Sequence, residues 1–193
     1  MNTDFNAAEK LLIENKIGVL PTDTVYGIHG KALNKQIVQK IYELRERDPK
    51  KPFIILISKI SDIKKFEIIV SKREELFLNN NWPNKLSVII ACKSNKFKYL
   101  HRGTNTLAFR IPKNTDLRNL LAKTGPLIST SVNPQGMAPA KNILEAKAYF
   151  GNKLDFYVDS GELVSLPSTL IEIKNGEIKV LRQGEIEIKK MIE

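Results

Sequence analysis

Hydroxyl, amide and guanidinium side chains form the chemically interesting part of this sequence. The stretch VLPTDTVYG at 19–27 places two threonines, an aspartate and a tyrosine directly after an apolar run. In the stretch LISTSVN at 127–133, the two-residue alternation of a strand directs Ser129, Ser131 and Asn133 to one side. Side chains of these types bind and orient charged groups through hydrogen bonds. The pattern favours chemistry by positioning and charge stabilisation over chemistry by a protein nucleophile.

A lone arginine lies in a second polar strand pattern. In TLAFRIP, Thr106, Ala108 and Arg110 share one face, and the residues between them are apolar. A guanidinium in such surroundings needs an anion, which is either a ligand or a buried carboxylate in a structural ion pair. Thr22 and Thr24 also alternate onto one face, and either could contact a ligand or bond the amides of its own turn.

The familiar signatures of nucleotide and metal sites are absent from the sequence. It contains no GxxxxGK[ST] phosphate loop, no GxGxxG, no HExxH and no CxxC. The only two histidines, His29 and His101, lack neighbouring carboxylates or cysteines, which favours a solvent-facing or hydrogen-bonded structural role. Cys92 lies in an apolar strand and is predicted to be a buried, inert thiol. We expect no dedicated metal site and no catalytic triad.

Composition limits the class of protein. The chain has 193 residues and a net charge of +10, with 31 basic residues of which only seven are arginine. Such a charge suits a phosphate-bearing partner such as RNA or a nucleotide, but a compositional bias to lysine spread over solvated faces explains it better. The single cysteine cannot form an internal disulfide, the first residues carry no apolar signal region, and no run of eighteen apolar residues occurs. These features predict one soluble, cytoplasmic domain spanning 1–193 with no membrane association.

The polar segments lie at the ends of predicted strands. Asp4 or Thr3 can cap a first helix that ends near Asn15, and Asn34 can cap a second. Further helices are predicted from Ser61-Asp62 and at 115–122 and 142–149, and a mostly polar helical segment precedes a turn at 79–84. Strands are predicted at 17–20, 53–57, 86–92, 106–111, 126–132, 168–173 and 177–182. Early alternation of strands with helices, and a late hairpin around Asn175-Gly176, indicate a single mixed α/β sheet.

Taken in order, the motifs resemble those of the YrdC/Sua5 family, the threonylcarbamoyl-AMP synthases. The resemblance rests on PTDTVYGI, LRERDPKKPF, WPNKLSVII, LAFRIPKN, STSVNPQG, PSTLIEI and LRQGEI, which run from about Ile17 to Ile186. It implies a YrdC-like twisted sheet of mixed parallel and antiparallel strands with flanking helices and a large concave site. The chain is similar to the short, single-domain form of the family.

The resemblance also implies a reaction. L-threonine, bicarbonate and ATP would give threonylcarbamoyl-AMP and pyrophosphate, with Mg²⁺ held chiefly by the ATP phosphates and water. Because the attacking oxygen belongs to the threonine carbamate, the protein supplies positive charge and hydrogen-bond donors.

Site residues follow from the motif positions. The expected ATP-binding residues are Arg45, Arg47, Lys51, Asn133 and Arg182. The expected threonine-binding residues are Thr22, Thr24, Thr106, Arg110, Ser131 and Ser168. The four residues expected to take part in catalysis are Arg45, Arg47, Ser131 and Asn133. Arg45 replaces the lysine usual in the family, so a planar guanidinium group stands in place of a compact ammonium group.

Expected partners follow from the same resemblance. The adenylate would pass to a tRNA threonylcarbamoyl transferase complex, and tRNA or double-stranded RNA could bind directly. Two alternatives are a non-catalytic RNA-binding or ribosome-maturation module, and a carbamoyl-transfer domain like that of hydrogenase-maturation proteins.

Overall fold

A computed structural model describes residues 4–48, 50–174 and 177–188. Within these residues, nine strands form one sheet in the order β7-β1-β2-β6-β3-β5-β4-β8-β9. The strands are β1 (Gly18–Leu20), β2 (Gly27–Lys31), β3 (Ile54–Leu56), β4 (Leu86–Ala91), β5 (Thr106–Arg110), β6 (Leu127–Ser131), β7 (Phe156–Tyr157), β8 (Thr169–Lys174) and β9 (Glu177–Arg182). The α-helices are α1 (Phe5–Ile13), α2 (Lys35–Leu44), α3 (Lys72–Asn81), α4 (Lys98–His101), α5 (Thr115–Thr124) and α6 (Ile143–Phe150).

The sheet is mixed, as predicted. The pairs β1–β7, β3–β5 and β4–β8 are parallel, while β1–β2, β2–β6, β3–β6, β4–β5 and β8–β9 are antiparallel. Polar caps set where the longer helices begin. Asp4 accepts the amide of Ala7 at the start of α1, and Asn34 accepts two amides at the start of α2.

One face of the sheet is fully covered. Ile55 pairs with Ile128 on one side and Phe109 on the other, and all three belong to the larger hydrophobic core. This core also contains Val38 of α2, Leu78 of α3, and residues of the 3₁₀ helix Ile60–Phe66. The burial of so many aliphatic and aromatic side chains on one face fixes the register of the central strands.

The opposite face is only partly covered. Its cross-strand rows include Ser129, Ile54 and Ala108 in one line, with Leu127 and Leu56 in the next. Helices α1 and α5 pack over the leucine row in a second, smaller hydrophobic cluster. The rest of this face is left open, and it provides the floor of a cavity.

Some elements differ from the sequence prediction. Strands β2 and β7 and the short helix α4 were missed, because each is short or lacks a clear apolar period. The helix predicted from Ser61-Asp62 is a 3₁₀ helix, and α3 continues to Asn81, into the predicted turn. The late hairpin pairs β8 with β9, but Asn175 and Gly176, like Thr3, lie outside the described residues.

Gly30 allows α2 to approach the sheet closely. A Cβ on Gly30 would lie 2.5 Å from Ile37 Cγ2 and 3.0 Å from Ile41 Cδ1, both on α2. We predict that Gly30→Ala lowers the free energy of unfolding by about 1–3 kcal/mol, because the helix must move outward. Urea denaturation measures this loss. Lys40→Ala on the exposed side of α2 is the control, and an equal effect of both substitutions would contradict the packing argument.

Candidate functional site

The open part of the sheet face lines a cavity of about 800 Å³. Strands β2, β3, β5 and β6 contribute its floor, and the segments 47–53, 138–141 and 163–168 contribute its walls. Among the described lining residues there are six cations and no carboxylate: Arg47, Lys50, Lys51, Arg110, Lys141 and Arg182. A concave surface with one sign of charge concentrates anions.

The PTDT loop forms one end of the cavity. Thr22 Oγ1 donates to the carbonyl of Val25 at 2.8 Å and accepts the amide of Thr24 at 3.0 Å. The Thr22 and Thr24 hydroxyls are 2.9 Å apart. Because the only Thr22 hydroxyl proton goes to Val25, Thr24 must donate to Thr22. The Thr22 hydroxyl is therefore saturated, whereas Thr24 retains one free acceptor site.

Arg110 anchors the floor at the same end. Its Nη1 donates to Thr24 Oγ1 at 3.2 Å, and its Nη2 lies 3.3 Å from Asp23 Oδ1. Only 3% of Arg110 is exposed. Burial lowers the pKa of Arg110, and Asp23 opposes that shift. The structural ion pair considered from the sequence is therefore present, but its carboxylate comes from the PTDT loop and Arg110 still lines the cavity.

Arg45 and Asn133 lie behind the cavity wall and bond each other. Arg45 Nε donates to the Asn133 carbonyl at 2.7 Å, and Nη2 donates to Asn133 Oδ1 at 2.8 Å. Its Nη1 donates to Thr130 Oγ1. Burial, and then repulsion from Arg47, lower the pKa of Arg45 to about 10. Neither Arg45 nor Asn133 is among the residues lining the cavity, so in this structure both hold the wall in place.

The expected common direction of Ser129, Ser131 and Asn133 holds only in part. Ser129 and Ser131 line the cavity, but β6 ends at Ser131. The chain turns there, and Asn133 directs its side chain to Arg45 instead. Strand alternation does not extend beyond the strand that produces it.

Arg47 and Arg182 also line the cavity. Arg47 donates from Nε to the carbonyl of Lys51 at 3.0 Å, and its guanidinium lies 5.2 Å from the centre of the Phe53 ring. Arg182 donates from Nη2 to the Ser168 carbonyl at 2.8 Å and to its hydroxyl at 3.2 Å. Burial, and then repulsion from Arg47, lower the pKa of Arg182. Such mutual repulsion is relieved when an anion binds between the two guanidinium groups.

The remaining predicted residues also reach the cavity. Thr106 lines it from the start of β5, where its hydroxyl bonds Thr104, and Lys51 lies in its wall. Ser168 lines it too, but its hydroxyl is shared between Ser87 and Arg182.

Several polar lining residues are absent from the site predicted from the sequence, among them Lys50, Lys141 and Ser129. Lys50 and Lys141 lie in walls formed by loops, for which no periodic signal exists. Ser129 shares the direction predicted for Ser131 on the same strand, but the family motif does not include it in the expected site.

The two histidines and the cysteine are buried. His101 Nδ1 accepts the amide of Gly103 at 3.1 Å, and Cys92 is 2% exposed with its pKa raised by burial. His29 is fully buried, and neither ring nitrogen has a hydrogen-bond partner among the described residues. The expectation that His29 is solvent-facing is therefore wrong, because its side chain is fully covered although it projects from the same face of the sheet as Ser129.

Comparison with known proteins identifies the family. Residues 10–184 match the family model described as "Telomere recombination", which groups Sua5, YciO and YrdC. The chain belongs to the YrdC/Sua5 family. None of the described helices is long and apolar enough to cross a membrane.

Relatives within the YrdC/Sua5 family include named enzymes. The chain is 28% identical to the threonylcarbamoyl-AMP synthase of Pseudoalteromonas translucida, over 89% of this chain and 94% of that protein. It is 30% identical to that of Bacillus subtilis, over 93% of this chain and 53% of that protein. The structure of Pyrococcus abyssi Sua5 complexed with L-threonine matches with a TM-score of 0.85 and 25% identity, over 93% of this chain and 54% of that one. The chain therefore spans about half the length of the latter two proteins.

The Arg45 contacts predict a stability effect. Arg45→Met removes three donors and leaves the Thr130 hydroxyl and the two Asn133 oxygens without these hydrogen bonds in the interior. We predict a loss of about 2–4 kcal/mol in the free energy of unfolding, measured by urea denaturation. Arg47→Met, which frees only two backbone carbonyls at the cavity edge, should cost less. The reverse order would contradict the assignment of Arg45 to the wall.

Burial of His29 should make the free energy of unfolding depend on pH in the acidic range. Burial lowers the pKa of His29 from 6.5 to about 3, so below pH 6.5 the unfolded chain binds a proton that the folded chain does not. Protonation of His29 in the unfolded chain therefore lowers the free energy of unfolding as the pH falls, by about 2 kcal/mol between pH 6.5 and 5. We predict that His29→Gln loses less stability than the wild type between pH 7.5 and 5 in urea denaturation. Equal losses would show that His29 titrates normally in the folded protein.

Proposed function

We propose that the chain is a threonylcarbamoyl-AMP synthase, which converts L-threonine, bicarbonate and ATP to threonylcarbamoyl-AMP and pyrophosphate. The observation that carries the proposal is the cavity lined by six cations and no carboxylate among the described residues. Its volume of about 800 Å³ suits a nucleotide and an amino acid together. Relatives that match nearly the whole chain, or half of a longer protein, are named for this activity.

Charge stabilisation accounts for the chemistry. An oxygen of the threonine carbamate forms a bond to the α-phosphorus, while the bond to the β-phosphate oxygen breaks and pyrophosphate leaves with the electron pair. Negative charge accumulates on the phosphate oxygens, so donors held in place lower the barrier. Arg47, Lys51 and Arg182 all line the cavity, Arg47 bonds the Lys51 carbonyl and lies close enough to Arg182 to lower its pKa, and we assign the three to the phosphates.

The amino acid would bind at the PTDT end. Arg110 supplies the positive charge, Thr24 a free acceptor for the ammonium or carbamate nitrogen, and Ser131 a hydroxyl. Thr22 and Ser168 act through Thr24 and Arg182, to which their hydroxyls are bonded. Thr106 remains a candidate contact.

Arg45 and Asn133 are better described as positioning residues than as phosphate ligands. Their side chains are committed to each other and to Thr130, and they hold the segment that leads into the cavity wall at Ala138. The catalytic contribution expected of them from the motif is therefore proposed to act through that wall.

Mg²⁺ would enter with ATP. No group of three metal-ligating side chains occurs in the part of the chain that the structure describes, and the cavity lining offers no carboxylate. The ATP phosphates and water would therefore hold the ion, whose charge would neutralise the phosphates.

Handover of the adenylate to a tRNA threonylcarbamoyl transferase complex remains part of the proposal. So do the binding of tRNA or double-stranded RNA, the cytoplasmic location and the single-domain organisation of 1–193.

Pyrophosphate release tests the function. We predict release from ATP and Mg²⁺ that requires both L-threonine and bicarbonate, and a loss of at least tenfold in Arg47→Ala, because one phosphate-binding guanidinium is removed. Lys179→Ala, an exposed cation on β9 outside the cavity, is the matched control and should retain activity.

Two outcomes would overturn this assignment. Pyrophosphate release that does not depend on L-threonine would indicate an enzyme that only hydrolyses ATP. Absence of turnover together with salt-dependent binding of structured RNA would indicate a non-catalytic RNA-binding module.

A further inference from the structure

Unpartnered buried polar atoms are concentrated below one end of the cavity. Six buried side-chain nitrogen or oxygen atoms lack a hydrogen-bond partner among the described residues, and four of them belong to Asp23, His29 and Arg110. Asp23 and Arg110 are in an ion pair, but His29 has no partner at either ring nitrogen. A buried group left without a hydrogen bond is costly, so its retention calls for an explanation.

Gly27 brings the His29 ring against the cavity floor. A Cβ on Gly27 would lie 3.0 Å from His29 Nε2 and 3.1 Å from Ser129 Oγ, so Nε2 and the Ser129 hydroxyl flank the same small space. His29 and Ser129 are also cross-strand partners in the β2–β6 pair. Gly27 and Ser129 both line the cavity, whereas the His29 ring, on the same face of the sheet, has no exposed surface.

The imidazole can act only through its neighbour. His29 is fully buried, so a ligand in the cavity contacts Ser129 and not the ring. The Ser129 hydroxyl has no hydrogen-bond partner among the described residues and is free to rotate. His29 Nε2 and Ser129 Oγ both lie about 3 Å from the point that a Gly27 Cβ would occupy, so side-chain rotation can bring them together and fix the direction of the hydroxyl.

We propose that His29 is a positioning residue: its neutral ring donates from Nε2–H to Ser129 Oγ and so directs the Ser129 proton at the carboxylate or carbamate group of the bound amino acid. The donor direction follows from the chemistry of the ligand. A carboxylate or carbamate oxygen only accepts hydrogen bonds, so Ser129 must use its single proton for the ligand and accept from His29. This inference rests on the proposed function for the identity of the ligand.

The neutral state of His29 is maintained by its surroundings. Burial lowers its pKa to about 3; the Gly27 backbone opposes this shift, and the nearby Arg110 charge adds to it. The ring therefore remains a neutral donor at physiological pH. A protonated ring would place a second positive charge beside Arg110 in the interior.

A double-mutant cycle tests the pair. The variants are His29→Leu, Ser129→Ala and the double substitution, with L-threonine and ATP binding measured separately by calorimetry and from KM. We expect a five- to tenfold loss of L-threonine affinity in each single variant, about what one oriented hydrogen bond contributes. We expect no further loss in the double variant and less than a twofold change for ATP. His29→Gln, whose amide can donate from a similar position, should restore most of the affinity.

Controls separate positioning from a loss of packing. His101→Leu removes the other buried imidazole, which does not line the cavity, and should leave L-threonine affinity unchanged. Additive effects in the cycle, or equal losses for L-threonine and ATP, would overturn the proposal. Should His29→Leu fail to fold, the comparison of His29→Gln with Ser129→Ala decides, because only the latter should lose affinity.

Nitrogen NMR of the wild type gives a readout independent of activity. We expect a protonated Nε2 on His29 whose resonance shifts in Ser129→Ala, whether or not L-threonine binds. An unprotonated Nε2, or a resonance that Ser129→Ala leaves in place, would refute the positioning role. A wild type that shows the expected NMR signature but binds no L-threonine would instead refute the proposed function.

Discussion

The ion pair between Asp23 and Arg110 is the interaction on which the geometry of the site depends. A buried guanidinium is tolerated only when a charge and hydrogen bonds compensate for its lost hydration. Asp23 supplies the charge, and its other oxygen accepts the amide of Lys113 at 2.8 Å, which ties the PTDT loop to the segment after β5. The same loop presents Thr24 to Arg110. One carboxylate thereby fixes both a strand end and the loop facing it.

The arginines divide into an inner and an outer group. Arg45 and Arg110 are each 3% exposed and bonded within the protein, whereas Arg47 and Arg182 lie at the cavity surface and bond mainly backbone carbonyls. Carbonyls orient a guanidinium without neutralising its charge. The outer pair therefore keeps a positive potential available to an anionic ligand, while the inner pair stabilises the loops that carry the other contacts.

The cavity and the large hydrophobic core that supports it lie on opposite faces of the sheet. On one face, the large core packs against α2, α3, α4 and a 3₁₀ helix, which makes the central strands a rigid platform. On the other face, α1 and α5 cover only the leucine-rich end. Polar side chains on the uncovered strands can face a ligand without the cost of permanent burial.

The sequence by itself determined the mixed α/β class, most strands and helices, and the shared direction of Thr106, Ala108 and Arg110, because hydrophobic period and capping residues are local signals. It also determined the ordered motifs that resemble the YrdC/Sua5 family. Only the tertiary structure decided that Asp23 pairs with Arg110, that Arg45 bonds Asn133, and that His29 lies buried beside Ser129. Asp23 and Arg110 are 87 positions apart in the sequence, and Arg45 and Asn133 are 88 apart, so no local pattern predicts these contacts. The place of His29 depends on the bounds and pairing of β2 and β6, which are also not local properties. Strand order and loop closure bring them together, and both are set by burial across the whole sheet.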